Sequence, residues 1–494
     1  MNIASIQDIL VRRQTAFGIG VMVGFLMVGC VSELTLVPDP TDQTDGADGT
    51  DGTEPGDSTD PTFLADPTAK FDPLSRPESP TLSPENFNSA KDCAGCHPTY
   101  VAEWENSMHA YATVDPVWRV LVDIRKAEFD GAQDQMCVQC HTAIGTRGGE
   151  VVPGFSWDDL SEISLEGVTC EACHKVSGMR RIYNSGHELD ETGPLRGTIE
   201  DPVANSYHES EYSELFGQAK FCGGCHDIID MARGLQLERP YEEFLASPAA
   251  KEGRNCQTCH MPTYTGKAAI IDGVPERTLH RHRFIGAEVA LDESFTSDPE
   301  VRAMLREEVD NLLRTAAEIT VEAAESVQAG QQLDLLVTVR NLIDAHNLPT
   351  GSTFLRQCWV AITVTDAEGN ILYQTGHLDE DGDLRNYWSS ADQFGDADLI
   401  EFGSRFIDET GNPTLFPWLA AEHISSALSP LYERTFTLFV PTTPDTVGPI
   451  TIDAAVRFRP LPPFLLRALG AGALVENLVI TNMDEATRTV EVTP

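Results

Sequence analysis

Ten of the twelve cysteines in this 494-residue chain lie in five copies of one motif, Cys-x-x-Cys-His. The copies are Cys93-Cys96-His97, Cys137-Cys140-His141, Cys170-Cys173-His174, Cys222-Cys225-His226 and Cys256-Cys259-His260. Two thiols at this spacing can add to the two vinyl groups of a haem, and the adjacent imidazole then faces the iron as its proximal ligand. Chance would produce about 0.01 copies at this composition. The sequence therefore predicts five covalently bound c-type haems.

Other uses of paired cysteines fit these motifs less well. Zinc sites join cysteine pairs two by two and do not require a histidine directly after each pair. A thioredoxin-like redox motif occurs once, and a disulfide framework leaves the histidines unexplained. Cys358 lies outside the motifs in RQCWVAITVT, a pattern that predicts a strand with a buried, inert thiol.

Eight further histidines are candidates for the second axial position of the haems. They are His109, His187, His208, His280, His282, His346, His377 and His423. A pair of histidine ligands gives a lower reduction potential than a His/Met pair, which favours a low-potential pathway. Methionines near the motifs are expected to serve packing. His377 and His423 are expected in surface or otherwise satisfied positions.

The first thirty residues have the pattern of an export signal. Arg12 and Arg13 precede an apolar run at residues 16–28 that is too short for a comfortable membrane span. The end of this segment, LMVGC, resembles a bacterial lipobox, which implies that Cys30 is acylated and anchors the protein to the outer membrane. An ordinary signal peptide with an incidental cysteine is the alternative.

Acidic residues dominate the next segment and the whole chain. Residues 31–85 are rich in Asp, Gly, Thr and Pro, which predicts a disordered tether or, alternatively, an acidic partner-binding tail. The net charge of −43 repels nucleic acid and anionic lipid headgroups. It suits basic protein partners, although solvated acidic faces would give the same composition.

Residues 88–262 resemble the cytochrome c554 family in the order and context of their motifs. CAGCHPTYVAEWENSMHA is similar to the family's first haem segment, and CVQCH followed by ISLEGVTCEACH is similar to its second and third motifs. RRIYNSGHELD and SYHESEYSELFGQAKFCGGCH carry histidines where the family has them. The resemblance implies a mainly α-helical and irregular domain whose core is packed with haem.

By this resemblance, His109, His187 and His208 are distal ligands for three of the first four haems. The resemblance also implies that the haem of the second motif, on Cys137 and Cys140, can lack a sixth ligand. That haem would then be the place where a small molecule binds.

The chain departs from this family through its fifth motif and its long C-terminal region. His280 or His282, in LHRHRF, is expected to supply one further ligand. His346 lies in HNLPTG, which resembles a stretch of large multihaem cytochromes with an appended β-domain, where the histidine faces a haem. His346 is therefore expected to be another ligand.

Changes in sequence pattern divide the chain into five regions. These are a signal peptide (1–30), an acidic linker (31–85), a pentahaem cytochrome domain (86–290), a connecting helix (291–318) and an all-β domain (319–494). The pattern of the connecting region predicts a helix over about residues 298–316 with Ser297 as its N-cap.

The C-terminal region alternates apolar and polar residues in short runs separated by turn residues. TDAEGN joins two of these runs and predicts a hairpin connection. About seven such strands, among them QQLDLLVTVRN, NLVITN and RTVEVTP, predict an Ig-like β-sandwich. The carboxylates of Asp379–Asp383 could hold Ca²⁺, but a solvated turn is the favoured interpretation.

These features predict an exported electron-transfer lipoprotein rather than an enzyme, and no catalytic residue is assigned. Its haems would carry electrons between redox protein partners in a periplasmic or cell-surface respiratory chain. A multihaem reductase of a small nitrogen or sulfur compound, acting at a five-coordinate haem, is the alternative. A subunit of an extracellular cytochrome filament is a further one. The donor, the acceptor and the oligomeric state stay open.

Overall fold

The computed structural model describes residues 80–129, 135–231 and 233–494. The predicted signal peptide, the acylated Cys30 and almost all of the acidic linker lie outside these residues. None of the described helices is long and apolar enough to cross a membrane.

Short helices dominate the part of the chain that carries the motifs, and among the described helices only α4 and α13 exceed eight residues. The helices are α1 (Ala90–Cys93), α2 (Pro98–Trp104), α3 (Met108–Tyr111), α4 (Pro116–Glu128), α5 (Gln135–His141), α6 (Ala143–Arg147), α7 (Glu162–Leu165), α8 (Cys170–His174), α9 (Ala219–His226), α10 (Pro240–Leu245), α11 (Pro248–Lys251), α12 (Cys256–His260), α13 (Pro299–Arg314) and α14 (Pro463–Ala468).

Most strands lie after residue 316, and those before it form two-stranded ribbons. The strands are β1 (Val176–Met179), β2 (His187–Leu189), β3 (Leu195–Gly197), β4 (Ser210–Tyr212), β5 (Ile228–Asp230), β6 (Leu235–Glu238), β7 (Thr263–Lys267), β8 (Glu276–His280), β9 (Ala317–Ala323), β10 (Ser326–Gln328), β11 (Leu333–Asn341), β12 (Gln357–Thr365), β13 (Ile371–Thr375), β14 (Glu401–Phe402), β15 (Ser404–Asp408), β16 (Pro413–Thr414), β17 (Ala420–Ser425), β18 (Glu433–Val440), β19 (Ile450–Arg459) and β20 (Thr481–Thr493).

Four of the five motifs form a short helix that ends at the motif histidine, namely α5, α8, α9 and α12. Residues three apart share one face of a helix, so the two thiols of each motif point to the same side. In the first motif, α1 ends at Cys93, and His97 then occupies the N-cap position of α2. Helix geometry thus presents both thiols and the imidazole of a motif together.

The two longest of the described helices begin where an acidic side chain caps them. Asp115 accepts hydrogen bonds from the backbone of Val117 and Trp118 at the start of α4. Helix α13 begins after Asp298, which accepts from Glu300 at 2.9 Å. The predicted helix is therefore confirmed, but its predicted cap at Ser297 is wrong by one residue because the Asp298 carboxylate takes that role.

The C-terminal region is β-rich and forms two sheets around one core. The larger sheet has the order β10-β20-β19-β12-β13, with β14 also paired to β12, and the smaller sheet has the order β18-β11-β9. Alternate residues of β11, from Leu333 to Val339, are buried together with residues of β12 and β19. This period of two is the pattern of strands that bury one face. A helical first region and a β-rich second region are thus present, while the Ig-like assignment stays a prediction.

The C-terminal region has the predicted hairpin turn and the predicted buried thiol, but its last strand begins later than predicted. The hairpin turn TDAEGN connects β12 to β13, with Gly369 at a φ of 83°. Cys358 is 1% exposed on β12, as expected for a buried thiol. The segment NLVITN was predicted as a separate strand, but one strand, β20, begins only at Thr481 and runs to Thr493. The small sheet β16-β15-β17 was not predicted.

A second apolar core joins the motif region to the C-terminal region. Val117 and Ile124 of α4 pack with Leu415, Trp418 and the residues of α14. The indole of Trp418 also donates to Glu128 at 2.7 Å. The two regions therefore share buried surface next to the second motif.

Candidate haem-binding site

One cavity of about 1780 Å³ is lined by all ten motif cysteines and all five motif histidines. It also reaches His109, His187, His208, His280, His282 and His346, whereas His377 and His423 do not line it. All eleven cysteines that the structure describes are free thiols. The cavity thus collects the residues that the sequence assigned to haem.

Four motif histidines each face a second histidine across this cavity. The ring centres are 6.2 Å apart for His97 and His208, 6.3 Å for His226 and His109, 6.4 Å for His174 and His282, and 6.3 Å for His260 and His346. The partners come from distant parts of the sequence. His346 comes from the C-terminal region.

These separations fit a metal ion between each pair of rings. Two imidazole nitrogens, each about 2 Å from one metal ion and about 1.1 Å from its own ring centre, place the ring centres about 6.2 Å apart. Directly hydrogen-bonded or stacked rings would be closer. The four histidine pairs therefore have the spacing of axial ligands to haem iron, with the motif cysteines beside them as attachment points.

Hydrogen bonds hold the motif imidazoles in a suitable orientation. The Nδ1 atom of His97 lies 2.7 Å from the Ala268 carbonyl, and the corresponding distances are 2.7 Å for His141 and Ala112, 2.5 Å for His174 and Arg196, and 2.6 Å for His260 and Ile285. When Nδ1 carries the proton and donates to a carbonyl, Nε2 keeps its lone pair for a metal.

Burial keeps three of the facing histidines neutral. It lowers the pKa of His109 and of His346 to about 4 and that of His282 to about 3. Imidazole must be neutral to bind a metal, so these rings are in the binding form at neutral pH.

His109 is held by a contact between two segments that the c554 resemblance singled out. It lies on α3, whose first turn is capped by Ser107. The backbone N–H of Val168 donates to the His109 carbonyl at 3.0 Å, and the Trp104 indole donates to the Val168 carbonyl at 2.8 Å. A Cβ on Gly167 would lie 2.6 Å from the His109 carbonyl oxygen, so this close approach requires glycine.

His282 is positioned by a buried carboxylate that follows the first motif. Glu103 on α2 accepts the His282 backbone N–H at 2.7 Å and also binds Arg281 at 2.6 Å and Arg283 at 3.2 Å. Arg283 in turn pairs with Glu308 on α13. Sequence reasoning missed Glu103, because nothing in its local pattern distinguishes it from an exposed helical acid.

Phe284 lies between two of the facing histidines. Its ring centre is 4.3 Å from that of His109 and 5.6 Å from that of His282. Its backbone has a φ of 49°, a conformation that is rare for a residue with a side chain. Phe284 therefore links the distal sides of the third and fourth motifs.

Polar contacts with the motif region hold the loop that carries His346. Glu243, on α10, accepts the Asn347 backbone N–H at 3.1 Å and the Thr350 hydroxyl at 2.5 Å. Arg254 pairs with Asp344 on the same loop. The C-terminal region thus contributes a ligand candidate and is held against the motif region next to it.

His187 does not face a motif histidine, so its place differs from the role that the resemblance implied for it. Its Nε2 atom lies 2.7 Å from the Phe221 carbonyl, and its Nδ1 atom lies 3.7 Å from the Cys225 thiol. A Cβ on Gly224 would lie 2.4 Å from the ring. His187 therefore packs against the fourth motif and hydrogen-bonds through the nitrogen that an axial ligand would use.

The second motif differs from the other four. Among the residues that the structure describes, no histidine ring faces His141 at axial spacing. Instead, Trp118 stacks on the His141 ring at 3.9 Å and an interplanar angle of 8°. The guanidinium of Arg125 lies 3.2 Å from the Cys137 thiol.

The remaining histidines, His280, His377 and His423, form other hydrogen bonds. In LHRHRF, His282 faces a motif histidine, whereas Nδ1 of His280 lies 2.6 Å from the Met261 carbonyl. His377 contacts Thr363 through Nε2 at 2.9 Å, and His423 contacts the Gln236 carbonyl through Nδ1 at 2.8 Å.

The acidic turn gives no support to a Ca²⁺ site. Asp379 accepts the backbone N–H groups of Asp381 and Asp383, and Asp383 pairs with Arg467. Among the described residues, no cluster of His, Cys, Asp and Glu could hold a metal ion by itself. Asp383 is thus paired with an arginine, and the Ca²⁺ site stays a prediction.

Neighbouring motifs lie side by side. The thiols of Cys93 and Cys170 are neighbours, as are those of Cys140 and Cys225, and those of Cys222 and Cys256. The first motif therefore adjoins the third, and the fourth adjoins both the second and the fifth.

The fold and the paired histidines define a multihaem c-type cytochrome, and comparisons with known proteins agree. Residues 92–175 match the family described as cytochrome c554 and c-prime. A penta-heme cytochrome c552 from Thermochromatium tepidum has the same overall fold, with a TM-score of 0.58 and 19% identity over 83% of this chain and 100% of that one.

Two curated relatives are similar over part of their length. Cytochrome c-552 of Porphyromonas gingivalis is 24% identical over 168 residues, which are 34% of this chain and 30% of the relative. Cytochrome c-552 of Bacteroides thetaiotaomicron is 25% identical over 169 residues, which are 34% of this chain and 31% of the relative. The chain thus matches about a third of the length of these relatives.

Proposed function

We propose that this protein carries electrons through five c-type haems, one on each motif. The observation that carries the proposal is the set of four histidine pairs at 6.2–6.4 Å, each with a motif cysteine pair beside it. Haem iron supplies the one-electron chemistry. The chain supplies covalent attachment, axial imidazoles and a largely closed environment.

The proposed electron path follows the contacts between motifs. The first motif adjoins the third, and Phe284 lies between the distal histidines of the third and the fourth. The fourth motif then adjoins the second and the fifth. Electrons would therefore move along one connected set of sites, with a branch at the fourth motif.

Export and anchoring belong to the proposal as well. The protein would be exported, held on the outer membrane through an acylated Cys30, and raised from the membrane by the acidic linker. The C-terminal region would be an Ig-like sandwich that provides a rigid support for His346. Its redox partners would be proteins.

Electron paramagnetic resonance of the oxidised protein, together with haem quantification by the pyridine haemochrome method, tests this function. We expect five haems per chain, four of them low-spin with two histidine ligands. Fewer than five haems, or fewer than four low-spin signals, would contradict the proposed ligand set. Full reduction by dithionite and reoxidation without loss of haem would support the carrier role.

A second candidate function, a reductase of a small nitrogen or sulfur compound, is favoured by one observation. His141 faces no second histidine among the described residues, and Trp118 stacks on it instead. Nitrite, hydroxylamine and NO should be added separately to the dithionite-reduced protein. Multiple turnover of any of them would favour the reductase, whereas stoichiometric reoxidation or simple binding would favour the carrier.

A further inference from the structure

The two most exposed large apolar side chains that the structure describes both lie beside one histidine pair. Tyr207 is 73% exposed and directly precedes His208. Ile270 is 68% exposed. The structure describes no such side chains directly next to the other three facing histidines, His109, His282 and His346.

Two hydrogen bonds hold the segment of Ile270 next to the first motif. The Ile270 N–H donates to the Cys96 carbonyl at 2.9 Å, and the Ala268 carbonyl lies 2.7 Å from Nδ1 of His97. Tyr207 and Ile270 therefore stand next to the two axial candidates of the same site. Apolar area is thus exposed next to both histidines of one site, and exposed apolar area rimmed by polar residues marks interaction surfaces.

Acidic residues predominate in the three segments that carry Tyr207, Ile270 and the first motif. The segments 91–97, 200–209 and 267–276 contain the exposed carboxylates Asp92, Glu200, Asp201, Glu209, Asp272 and Glu276, and the exposed lysines Lys91 and Lys267. Asp201 pairs with Arg277 at 2.7 Å. Glu209, Asp272 and Glu276 form no ion pair with any residue that the structure describes. The segments around the first motif thus expose two large apolar side chains and an excess of negative charge.

We propose that this surface, centred on Tyr207 and Ile270, is where a basic redox protein docks to exchange electrons with the haem of the first motif. The proposal rests on the electron-transfer function proposed above. An apolar centre desolvates on contact, and a charged rim steers a partner of opposite charge and raises the association rate. In each encounter one electron leaves a ferrous haem here and reduces a ferric haem of the partner, so no proton or atom is transferred.

Stopped-flow oxidation of the dithionite-reduced full-length protein by ferric mitochondrial cytochrome c, a small basic redox protein, tests the proposal. We expect the double variant Tyr207→Ala/Ile270→Ser to lower the second-order rate constant about 5-fold or more at low ionic strength. Ile371→Ser is the matched control, because Ile371 is 61% exposed on β13 and should leave the rate unchanged. Equal rates for both variants would overturn the proposal.

Charge variants provide a second test. The triple variant Glu209→Gln/Asp272→Asn/Glu276→Gln should lower the rate about 5-fold to 10-fold at low salt and approach wild type at high salt. The control is the triple variant Glu318→Gln/Glu322→Gln/Glu368→Gln, which has the same net charge as the first triple variant. Its three neutralised side chains are exposed on the C-terminal region. Equal loss in both triples would indicate an effect of net charge alone and overturn the docking surface.

Two further measurements separate this proposal from the function on which it rests. Reduction by dithionite and oxidation by ferricyanide need no docking surface, so loss of those reactions in the wild-type protein would defeat the electron-transfer function itself. If Leu245→Ser lowered the rate of oxidation by cytochrome c and Tyr207→Ala/Ile270→Ser did not, the docking site would lie away from the first motif and the proposal would be overturned. Leu245 is 54% exposed on α10, ahead of the fifth motif.

Discussion

The carboxylate of Glu103 holds the backbone of His282 through a 2.7 Å hydrogen bond, so a residue beside the first motif positions the histidine that faces the third. The same carboxylate is 7% exposed and pairs with two arginines that flank His282. One side chain thus fixes three consecutive residues of LHRHRF.

Glu103→Gln should weaken axial coordination at the third motif. The amide cannot balance the charges of Arg281 and Arg283, so we expect one low-spin signal to become high-spin in part and the free energy of unfolding to fall by about 1–3 kcal/mol. Glu103→Asp should restore part of the low-spin signal. Glu105→Gln, at an exposed position of the same segment, is the control for both measurements. An unchanged spectrum in Glu103→Gln would show that His282 needs no such support.

His346→Ala should convert one low-spin haem to high-spin, because no other candidate histidine faces His260 among the described residues. The reduction potential of that haem should rise, since loss of an imidazole ligand disfavours the ferric state. His377→Ala removes a histidine that contacts Thr363 in the C-terminal region and should leave the spectrum unchanged. A low-spin spectrum identical to wild type in His346→Ala would remove this histidine from the ligand set.

The sequence predicts some parts of this site far better than others, and the reason is physical. Covalent attachment requires two thiols and an imidazole within five residues, so each motif is visible locally. A facing histidine is brought close by tertiary structure, which the short motifs do not encode. The sequence alone does not choose between His280 and His282. In the structure, β8 ends at His280, and Glu103 holds the backbone of His282.

The same contrast applies to the fold. The turn at Gly369 and the alternation in β11 are local signals, and both led to correct predictions. The start of β20 was misplaced, because NLVI is apolar enough to resemble a strand although part of it continues a 3₁₀ helix at Gly472–Asn477. Helix α14 was missed because its residues are buried on most sides and carry no clear amphipathic period.

Asp115 should make stability depend on pH in the acidic range. Burial is the main reason why its pKa is raised to about 6. The nearby Glu288 also acts to raise this pKa, whereas Arg356 acts to lower it. The folded protein holds this proton more tightly than the unfolded chain does. Stability from this group is therefore complete below about pH 4 and is lost as pH rises through about 6.

Asp115→Asn keeps an N-cap for α4 but removes the titration. We expect the variant to gain about 1–2 kcal/mol relative to wild type between pH 4 and pH 7, measured by denaturant unfolding of the holoprotein. Asp298→Asn, at the exposed N-cap of α13, is the matched control for replacing a capping aspartate by asparagine. An Asp115→Asn difference that does not change with pH would contradict the buried environment described for Asp115.

His187 provides the sharpest test between family resemblance and geometry. If it were an axial ligand, His187→Ala would cost one low-spin signal, as we expect for His109→Ala. The structure instead packs it on Gly224 and bonds it to the Phe221 carbonyl. We therefore expect His187→Ala to keep every low-spin signal and to lower the melting temperature, because the ring leaves a cavity beside the fourth motif. His187→Gln should recover part of the lost stability, since the glutamine amide can donate to the Phe221 carbonyl. A glutamine would not restore a lost axial imidazole. Loss of a low-spin signal, relative to wild type, in both His187 variants would return this residue to the ligand set.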